Sequence, residues 1–330
     1  MHLDPSMMHD RHCVVEQVHR LFWGIDARDG ETIAAACSPE VSSDWEGCEA
    51  GSFPAAILAR LAGVLTHHQC SNDIVSLAGN RATVELLVVA RHRRATLRGA
   101  DSFTRLSSDR ITLRSHGGIW RVTALQREHR GAEGNPGVLT GGGTAEPAAQ
   151  TLPLPPEPPV TSVHEQLARL ADHQEIHDLM MRFGRGLDSK DWALYRSCFA
   201  DRVIVDFGQS TGHAARFVSA DGFVAFARMR QRGHTAFHQY SNFQASVTGD
   251  HARCILYMMA RHRVTGIDGD PLNIFVGWYD NEFIRTPQGW RISKLRHPLQ
   301  WIEGNAAIKD APDPEAEAIG RQLFGSSEEA

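Results

Sequence analysis

The chain has 330 residues, of which 42% are hydrophobic and 22% are charged, and its formal net charge is -5. This composition is typical of a soluble globular protein, the length suggests two domains, and the charge argues against nucleic acid or an anionic membrane as a partner. No apolar run approaches the roughly 18–20 residues that cross a bilayer, and the N-terminus has no basic segment followed by an apolar one, so we expect a cytoplasmic location. The six cysteines form no CxxC pair, which argues against a zinc ribbon or a redox motif.

The chain contains one stretch of sequence twice. Residues 79–93 (GNRATVELLVVARHR) and 249–263 (GDHARCILYMMARHR) are identical at seven of fifteen positions without a gap. The same shift of 170 residues pairs HHQCSN at 67–72 with FHQYSN at 237–242, whereas earlier in the chain the shift is 162. The sequence therefore predicts a tandem duplication, with an eight-residue insertion in the second copy.

Glycine and proline mark the boundary between the copies. Three glycines at 141–143 and five prolines between 153 and 159 favour a spacer that is partly flexible and partly extended. The predicted segments are a first domain at 9–135, a Gly/Pro-rich linker at 136–162, a second domain at 163–306 and a C-terminal tail at 307–330.

Each copy has the same predicted order of elements, which is clearest in the second. Apolar residues recur at helical spacing from Leu167 to Leu187, and Trp192, Tyr195 and Phe199 mark a second short helix. The remaining predictions are a strand at 203–207, a helix near 221–231, and four β-rich stretches at 236–247, 251–264, 272–284 and 289–301. Helices followed by an antiparallel sheet indicate an α+β domain whose sheet curls around the helices.

Strand parity predicts a pocket histidine in each copy. Side chains alternate across a strand, so His262 continues the apolar stripe of Cys254, Leu256, Met258 and Ala260, while Arg261 and Arg263 face outward. His92 stands at the equivalent position of the first copy. The alternative for either histidine is a structural role in the core, with a hydrogen bond to a backbone carbonyl. Its presence in both copies favours the pocket.

An aspartate is predicted to share that pocket. Asp188 follows Leu187 on the apolar side of a helix, where a carboxylate is costly to bury without a partner. His238 begins a strand and is available as that partner. An aspartate bound to one imidazole nitrogen fixes the tautomer and leaves the other nitrogen as a general base. Asp191, in contrast, is best explained as the cap of the next helix.

These residues resemble the SnoaL-like and scytalone dehydratase-like branch of the nuclear transport factor 2-like superfamily. The resemblance spans most of the second copy, through LDSKDW, FADRVIVDFG, FHQYSN, ARHR and GWRIS, and the first copy is similar with weaker motifs. It implies two tandem conical barrels, each a curved, mostly antiparallel sheet around about three helices, which enclose an apolar pocket without a metal or an organic cofactor.

The resemblance also implies site residues. The aspartate and two histidines of the family correspond to Asp188, His238 and His262, and equally to Asp26, His68 and His92. Two tyrosines that activate a water in scytalone dehydratase fall at Leu187 and Phe207, and its asparagine falls near Tyr279, so scytalone itself is not the expected substrate. The first copy has Ile25, Trp45 and Asp109 at these places. The candidate substrate-binding residues are Tyr240, Asn242, Tyr279, Phe207, Met258 and Trp45.

We therefore expect a dehydratase that uses Asp/His acid–base chemistry on a hydrophobic cyclic substrate, such as a polyketide or terpenoid intermediate of secondary metabolism. The sequence leaves three alternatives open: a cyclase or double-bond isomerase, a two-His-one-carboxylate iron site, and a domain that binds a ligand without catalysis. Relatives with a single domain pair through their sheets, which implies a pseudo-dimer within the chain and leaves further self-association open.

Overall fold

The computed structural model describes residues 4–45, 52–94, 101–140, 153–208, 214–264, 269–305, 308 and 314–325. The chain divides into two compact units. The first comprises Met1–Pro153 with Thr161–Leu167, and the second comprises Leu154–Val160 with Ala168–Ala330. No helix in these ranges is both long enough and apolar enough to cross a membrane.

The first unit begins with helices and ends with strands. Its elements are α1 (Pro5–Ala27), α2 (Gly30–Ala36), β1 (Cys37–Ser43), α3 (Phe53–Arg60), β2 (Leu65–Ala78), β3 (Arg81–Arg93), β4 (Ser102–His116), β5 (Ile119–Gly134) and α4 (Gly137–Thr140).

The second unit repeats this order with additions. Its elements are α5 (Val163–Ser189), which begins within the first unit, α6 (Trp192–Ser197), β6 (Phe199–Asp206), β7 (Arg216–Ser219), α7 (Ala220–Arg230), β8 (His234–Thr248), β9 (His251–Val264), β10 (Leu272–Thr286), β11 (Gly289–Arg296), β12 (Leu299–Gly304) and α8 (Pro314–Phe324). The predicted tandem α+β architecture is confirmed.

Within the described ranges, each unit has one curved sheet that is antiparallel except at one pair of strands. The strand order is β1-β5-β4-β3-β2 in the first unit and β7-β6-β11-β10-β9-β8 in the second, where β12 also pairs with β10. The early strands β1 and β6 run parallel to β5 and β11, respectively. Each unit is therefore a conical barrel, with the sheet wrapped around its helices.

The apolar stripes predicted from strand parity face the cores. In β3 buried and more exposed residues alternate from Arg81 to Arg93, and Leu256, Met258 and Ala260 of β9 belong to the core of the second unit. Unlike β3, β9 is buried on both faces between Cys254 and Ala260. Arg263 is exposed as expected, whereas Arg261 is partly buried and donates to Gln239 Oε1 at 2.6 Å.

A glycine at the same place in each copy brings two helices together. A Cβ on Gly24 would lie 2.9 Å from Ile33 Cγ1, and a Cβ on Gly186 would lie 2.7 Å from the backbone nitrogen of Tyr195. Neither gap has room for a methyl group. Because Gly24 and Gly186 each stand two residues before the candidate aspartate, this close packing fixes the helix ends that carry Asp26 and Asp188.

Some of the predicted bounds were wrong. The expected strand at 289–301 is two strands: β11 ends before His297, and β12 begins after Pro298. Proline has no N–H for a ladder, and here its carbonyl accepts from Trp278 N at 3.2 Å. The chain then turns so that β12 pairs with the other half of β10.

Helices also form in segments predicted as linker and tail. In α4, Val138 is fully buried against Val64 and Phe103, so the first unit continues past residue 135. In α8, Phe324 packs on Phe226 with ring centroids 5.4 Å apart and belongs to the core of the second unit. Burial of Val138 and Phe324 stabilises these two helices, because tertiary packing contributes most of the stability of a short helix.

Candidate active site

Asp188 and His238 form a tight pair in the second unit. Asp188 lies in the last turn of α5, and His238 lies in β8. The carboxylate Oδ1 is 2.6 Å from His238 Nδ1, and Oδ2 accepts the backbone N–H of His238 at 2.8 Å. The His238 side chain is 4% exposed and that of Asp188 is 22% exposed. Because both carboxylate oxygens are engaged, the orientation of the imidazole is fixed relative to the helix.

His262 lies beside this pair. Its ring centroid is 5.5 Å from that of His238 and 5.1 Å from that of Phe275. Burial, reinforced by the nearby His238, lowers the pKa of His262 to about 3. His262 is therefore neutral at physiological pH. The structure gives it no hydrogen bond to a backbone carbonyl within the described ranges, so the alternative of a satisfied core histidine does not fit this residue.

Aromatic side chains make one wall of the site. The rings of Tyr240 and Tyr279 are 5.9 Å apart, and burial raises the pKa of both phenols. The two hydroxyls face each other, and their contact contributes to the raised pKa of Tyr240. The geometry between the Tyr240 hydroxyl and any described residue, Tyr279 included, is not that of a complete hydrogen bond. Both tyrosines therefore stay protonated at physiological pH, and the Tyr240 hydroxyl can donate to a bound ligand.

A third histidine, His297, is part of this wall, and the sequence patterns did not point to it. Its ring centroid is 5.1 Å from Tyr279 and 6.2 Å from Phe207, and burial together with His238 lowers its pKa to about 3. Its Nε2 is buried without a hydrogen-bond partner among the described residues. Comparison of the copies could not find it, because the equivalent residue is Arg127. The alternation of side chains along β11 does not predict an inward-facing His297 either, because the pairing of β11 with β6 shifts register between Ile292 and Lys294.

The absence of a side chain at Gly184 makes room for Tyr240. A Cβ at Gly184 would lie 2.7 Å from Tyr240 Cε2 and 3.1 Å from its hydroxyl oxygen. In the first copy the residues at these two positions are Phe22 and Cys70, so the large side chain is on the helix instead of the strand. The pocket of the second copy thereby gains a phenol at a place where the first copy has a phenyl ring.

Two other predicted substrate-binding residues, Asn242 and Met258, are buried within the barrel. Asn242 is 1% exposed and has a φ of 51°, at the register shift between Ser241 and Gln244 in β8. Asn72 repeats this in β2 with a φ of 56°. An asparagine tolerates this left-handed backbone better than most residues, so Asn242 shapes a β-bulge. Met258 is 1% exposed within the apolar core.

The first copy contains the same pair of groups. Asp26 Oδ1 is 2.6 Å from His68 Nδ1, and Oδ2 accepts the His68 backbone N–H at 2.8 Å. Here a third donor is present, because the Thr66 hydroxyl binds Asp26 Oδ1 at 2.7 Å. The Asp26 side chain is fully buried. The pair of the first copy is thus more enclosed than that of the second.

His92 differs from its counterpart His262. His92 Nδ1 lies 3.2 Å from the carbonyl oxygen of Phe103, and its ring centroid is 5.9 Å from that of His68. Burial lowers the pKa of His92 to about 3. The bond to a backbone carbonyl is the one expected of a structural core histidine, so this alternative fits the first copy.

A buried ion pair takes the place of the aromatic wall in the first copy. Asp109 and Arg127 are equivalent to Tyr279 and His297, and Arg127 Nη2 binds Asp109 Oδ2 at 2.6 Å. The guanidinium also lies 3.8 Å above the ring centre of Trp45, which is equivalent to Phe207. The two pockets therefore share the Asp–His pair and differ in the groups around it.

The fold and these sites define a tandem α+β barrel protein with an Asp–His pair in each barrel. The chain belongs to the family of SnoaL-like domains, whose model matches residues 6–126 and 168–296. The two matched stretches correspond to the two copies, so the duplication and the family predicted from the sequence are confirmed.

Three similar proteins each match less than half of the chain. The uncharacterized protein Rv2910c of Mycobacterium tuberculosis is 25% identical over 127 residues, which are 38% of this chain and 84% of that protein. The crystal structure of the Kfla4162 protein from Kribbella flavida is 27% identical, covers 43% of this chain and 99% of its own, and has a TM-score of 0.42. A putative scytalone dehydratase from Novosphingobium aromaticivorans is 16% identical, covers 42% and 89% respectively, and has a TM-score of 0.38.

Proposed function

We propose that this protein is a cofactor-independent lyase that dehydrates a hydrophobic cyclic substrate in the second copy. The observation that carries the proposal is the Asp188–His238 pair, with 2.6 Å between Oδ1 and Nδ1, beside a neutral His262. An anionic aspartate at Nδ1 selects the tautomer with its proton on Nδ1 and leaves Nε2 to act as a base. A substrate with a hydroxyl group β to a carbonyl is suited to such a base.

In the proposed mechanism His238 carries the proton through the reaction. Nε2 of His238 removes the proton next to the substrate carbonyl, and the electron pair moves onto the carbonyl oxygen as an enolate. The imidazolium formed is stabilised by Asp188. When the enolate collapses, the bond to the β-oxygen breaks and the imidazolium returns its proton to the leaving hydroxide, which departs as water. The base is thereby regenerated without a cofactor.

The surroundings of His238 favour this chemistry. The buried Tyr240 hydroxyl faces that of Tyr279 without a complete hydrogen bond among the described residues, so it can donate to the enolate oxygen and stabilise it in a site of low dielectric constant. His262 and His297 are neutral and can hold the substrate through hydrogen bonds without adding charge. The aromatic wall and the apolar strand β9 match a hydrophobic, ring-shaped ligand of the polyketide or terpenoid kind.

Differences between the copies support the second as the working site. In the first copy Asp26 is fully buried with three donors, His92 is engaged by a backbone carbonyl, and Arg127 is held by Asp109. Asp26, His92 and Arg127 therefore already have partners, although Trp45 Nε1 in the same pocket does not have one among the described residues. Beside the second pair, two buried polar atoms, on Tyr240 and His297, have no partner among the described residues. A substrate can supply the missing partners there.

The donor set fits an acid–base pair better than an iron site. Asp188 and His238 direct their ligand atoms at one another at 2.6 Å, and the second carboxylate oxygen is held by a backbone N–H. A two-His-one-carboxylate centre needs these atoms to face a common point. Binding iron would require both hydrogen bonds to break.

The test is product analysis of host extract, or of a panel of cyclic β-hydroxy carbonyl compounds, incubated with the full chain. We expect loss of one water from a substrate with the native chain, and no turnover with His238→Gln, which removes the base. Asp26→Asn is the matched control in the first copy and should leave turnover intact. Turnover by His238→Gln, or its loss in Asp26→Asn alone, would refute the assignment. Rearrangement of a substrate without loss of mass would instead indicate cyclisation or isomerisation by the same base.

A further inference from the structure

Three arginines of the first unit stand in a row across its sheet. Arg81 of β3 is directly opposite Arg114 of β4, and Arg114 is directly opposite Arg121 of β5. Residues in such positions have Cβ atoms only about 5 Å apart, and like charges directly opposite one another destabilise a sheet. The arrangement is unfavourable for the folded chain on its own.

Another arginine on the same sheet is paired, whereas no described residue pairs with those of the row. Arg110, four residues before Arg114 on β4, binds Glu85 Oε1 with its Nη2 at 2.6 Å. The structure shows no ion pair or side-chain hydrogen bond for Arg81, Arg114 or Arg121 with any described residue. The row also lies in a chain with a net charge of -5, so it is not part of a generally basic protein.

The row lines a cleft of about 450 Å³. His116 adds another basic side chain, Glu40 is the single acidic residue among the described lining residues, and Ile119 and Pro39 contribute apolar surface. Ile119 is 56% exposed, which is unusual for a large aliphatic side chain. The cleft thus combines a strongly cationic row with an apolar edge.

This cleft is separate from the site around Asp26. Side chains alternate along β3, where Ala82 and Val84 face the core and Arg81 faces outward. In β5, Trp120 and Val122 are buried on either side of Arg121. The row is therefore on the outer face of the sheet, and the Asp26–His68 pair is on the inner side.

The second copy does not have the row. The residues equivalent to Arg81, Arg114 and Arg121 are His251, Ile284 and Arg291. One arginine remains, and the central one is replaced by an aliphatic residue. Since the same fold is built without these charges, the row is not needed to form the barrel.

We infer that the outer cleft of the first unit binds a phosphate or diphosphate ester of an organic molecule. Guanidinium groups bind phosphate oxygens with two parallel hydrogen bonds, so adjacent arginines can hold a group with several negative charges. The bound anion would also remove the repulsion within the row. A volume near 450 Å³ has room for an organic group beyond the phosphates, and Ile119 supplies its apolar contact.

The test is isothermal titration calorimetry of the full chain with sodium pyrophosphate. We expect saturable binding to one site, weakened roughly tenfold to hundredfold in Arg114→Gln, because one charge-assisted contact is lost. Arg110→Gln is the matched control on the same strand and should bind like the native chain. No binding, or equal weakening in both variants, would overturn the inference, since the latter indicates only general charge attraction.

Two further measurements test the reasoning itself. Without an anion, Arg114→Gln should have a higher Tm than the native chain, because it relieves repulsion, and it should gain less from pyrophosphate. A lower Tm for the variant without anion would contradict the premise. Phenyl phosphate should bind more tightly than inorganic phosphate, and equal or weaker binding would rule out an organic ester as the ligand class. None of these outcomes depends on the proposed lyase activity.

Discussion

Replacing Asp188 by asparagine tests the central pair with almost no change of shape. The backbone N–H of His238 donates to Oδ2 at 2.8 Å, so the amide introduced by Asp188→Asn must keep its carbonyl oxygen at that place. The NH2 group of that amide then faces His238 Nδ1, which is 2.6 Å from Oδ1 in the native chain. Two donors cannot share that contact. His238 must therefore move its proton to Nε2, and the nitrogen that faces the substrate is no longer a base.

The expected loss of turnover is large and the loss of stability is small. A positioned general base contributes roughly 10²–10⁴-fold to the rate, and asparagine also removes the charge that stabilises the imidazolium. For folding, a charge-assisted hydrogen bond is replaced by a neutral one, a difference of about 1 kcal/mol. The carboxylate is 22% exposed, which reduces this cost further.

The assay reads the tautomer directly and needs no substrate. Long-range ¹H–¹⁵N spectra distinguish a proton on Nδ1 from one on Nε2, and among the 18 histidines the His238 signal is identified by its loss in His238→Gln. We expect the Nδ1–H form in the native chain and the Nε2–H form in Asp188→Asn. Asp191→Asn, at the cap of α6, should leave the signal unchanged. An unchanged tautomer in Asp188→Asn, or full turnover, would refute the reasoning.

Three other predictions follow from the packing and charges of the two units. Gly184→Ala should lower turnover while the Asp188–His238 hydrogen bond stays intact, because the new methyl group displaces Tyr240. The free energy of unfolding, measured by urea denaturation, should fall by about 1–2 kcal/mol. Asp109→Ala leaves the buried Arg127 unpaired and should lower the free energy of unfolding by about 3–5 kcal/mol. Glu85→Gln, at an exposed ion pair, should lower it by only about 0–1 kcal/mol. Similar losses in the two variants would contradict the burial of the Asp109–Arg127 pair. The third concerns pH: three buried histidines have folded pKa values near 3, below the unfolded value of about 6.5. The unfolded chain then binds more protons, so this stability is complete well above pH 6.5 and falls towards pH 3 by about 1.4 kcal/mol per pH unit for each histidine. His297→Phe should reduce that slope, and an unchanged slope would count against the buried, neutral state of His297.

Much of the site was predictable because local patterns repeat within the chain. Strand parity placed His92 and His262 on the inner face, and the apolar side of a helix placed Asp188 near the pocket. The internal repeat gave Asp26 as its equivalent. The cap at Asp191 was also predictable, and its carboxylate accepts from Leu194 N at 2.9 Å. These inferences succeed because backbone geometry over a few residues decides which face a side chain occupies.

Other features depend on contacts between distant segments. His297 enters the site only because the ladder shifts register between Ile292 and Lys294 and the strand ends at Pro298. Gly184 on the helix leaves space that the phenol of Tyr240 on the strand fills, whereas Phe22 and Cys70 of the first copy have the large side chain on the helix. This complementarity depends on the packing of α5 against β8. The substrate-binding roles of Asn242 and Met258 stay predictions, and the structure adds that both are buried.

The sequence by itself determined the duplication, the order of elements, the family and the residues of the two Asp–His pairs, because each of these is written in local spacing and repeated motifs. The tertiary structure decided how the two pockets differ. Whether a histidine is held by a backbone carbonyl, as His92 is, or lacks such a bond among the described residues, as His262 does, depends on which strand lies opposite and how closely. Such contacts form only when the sheet closes around its helices, so no local pattern records them.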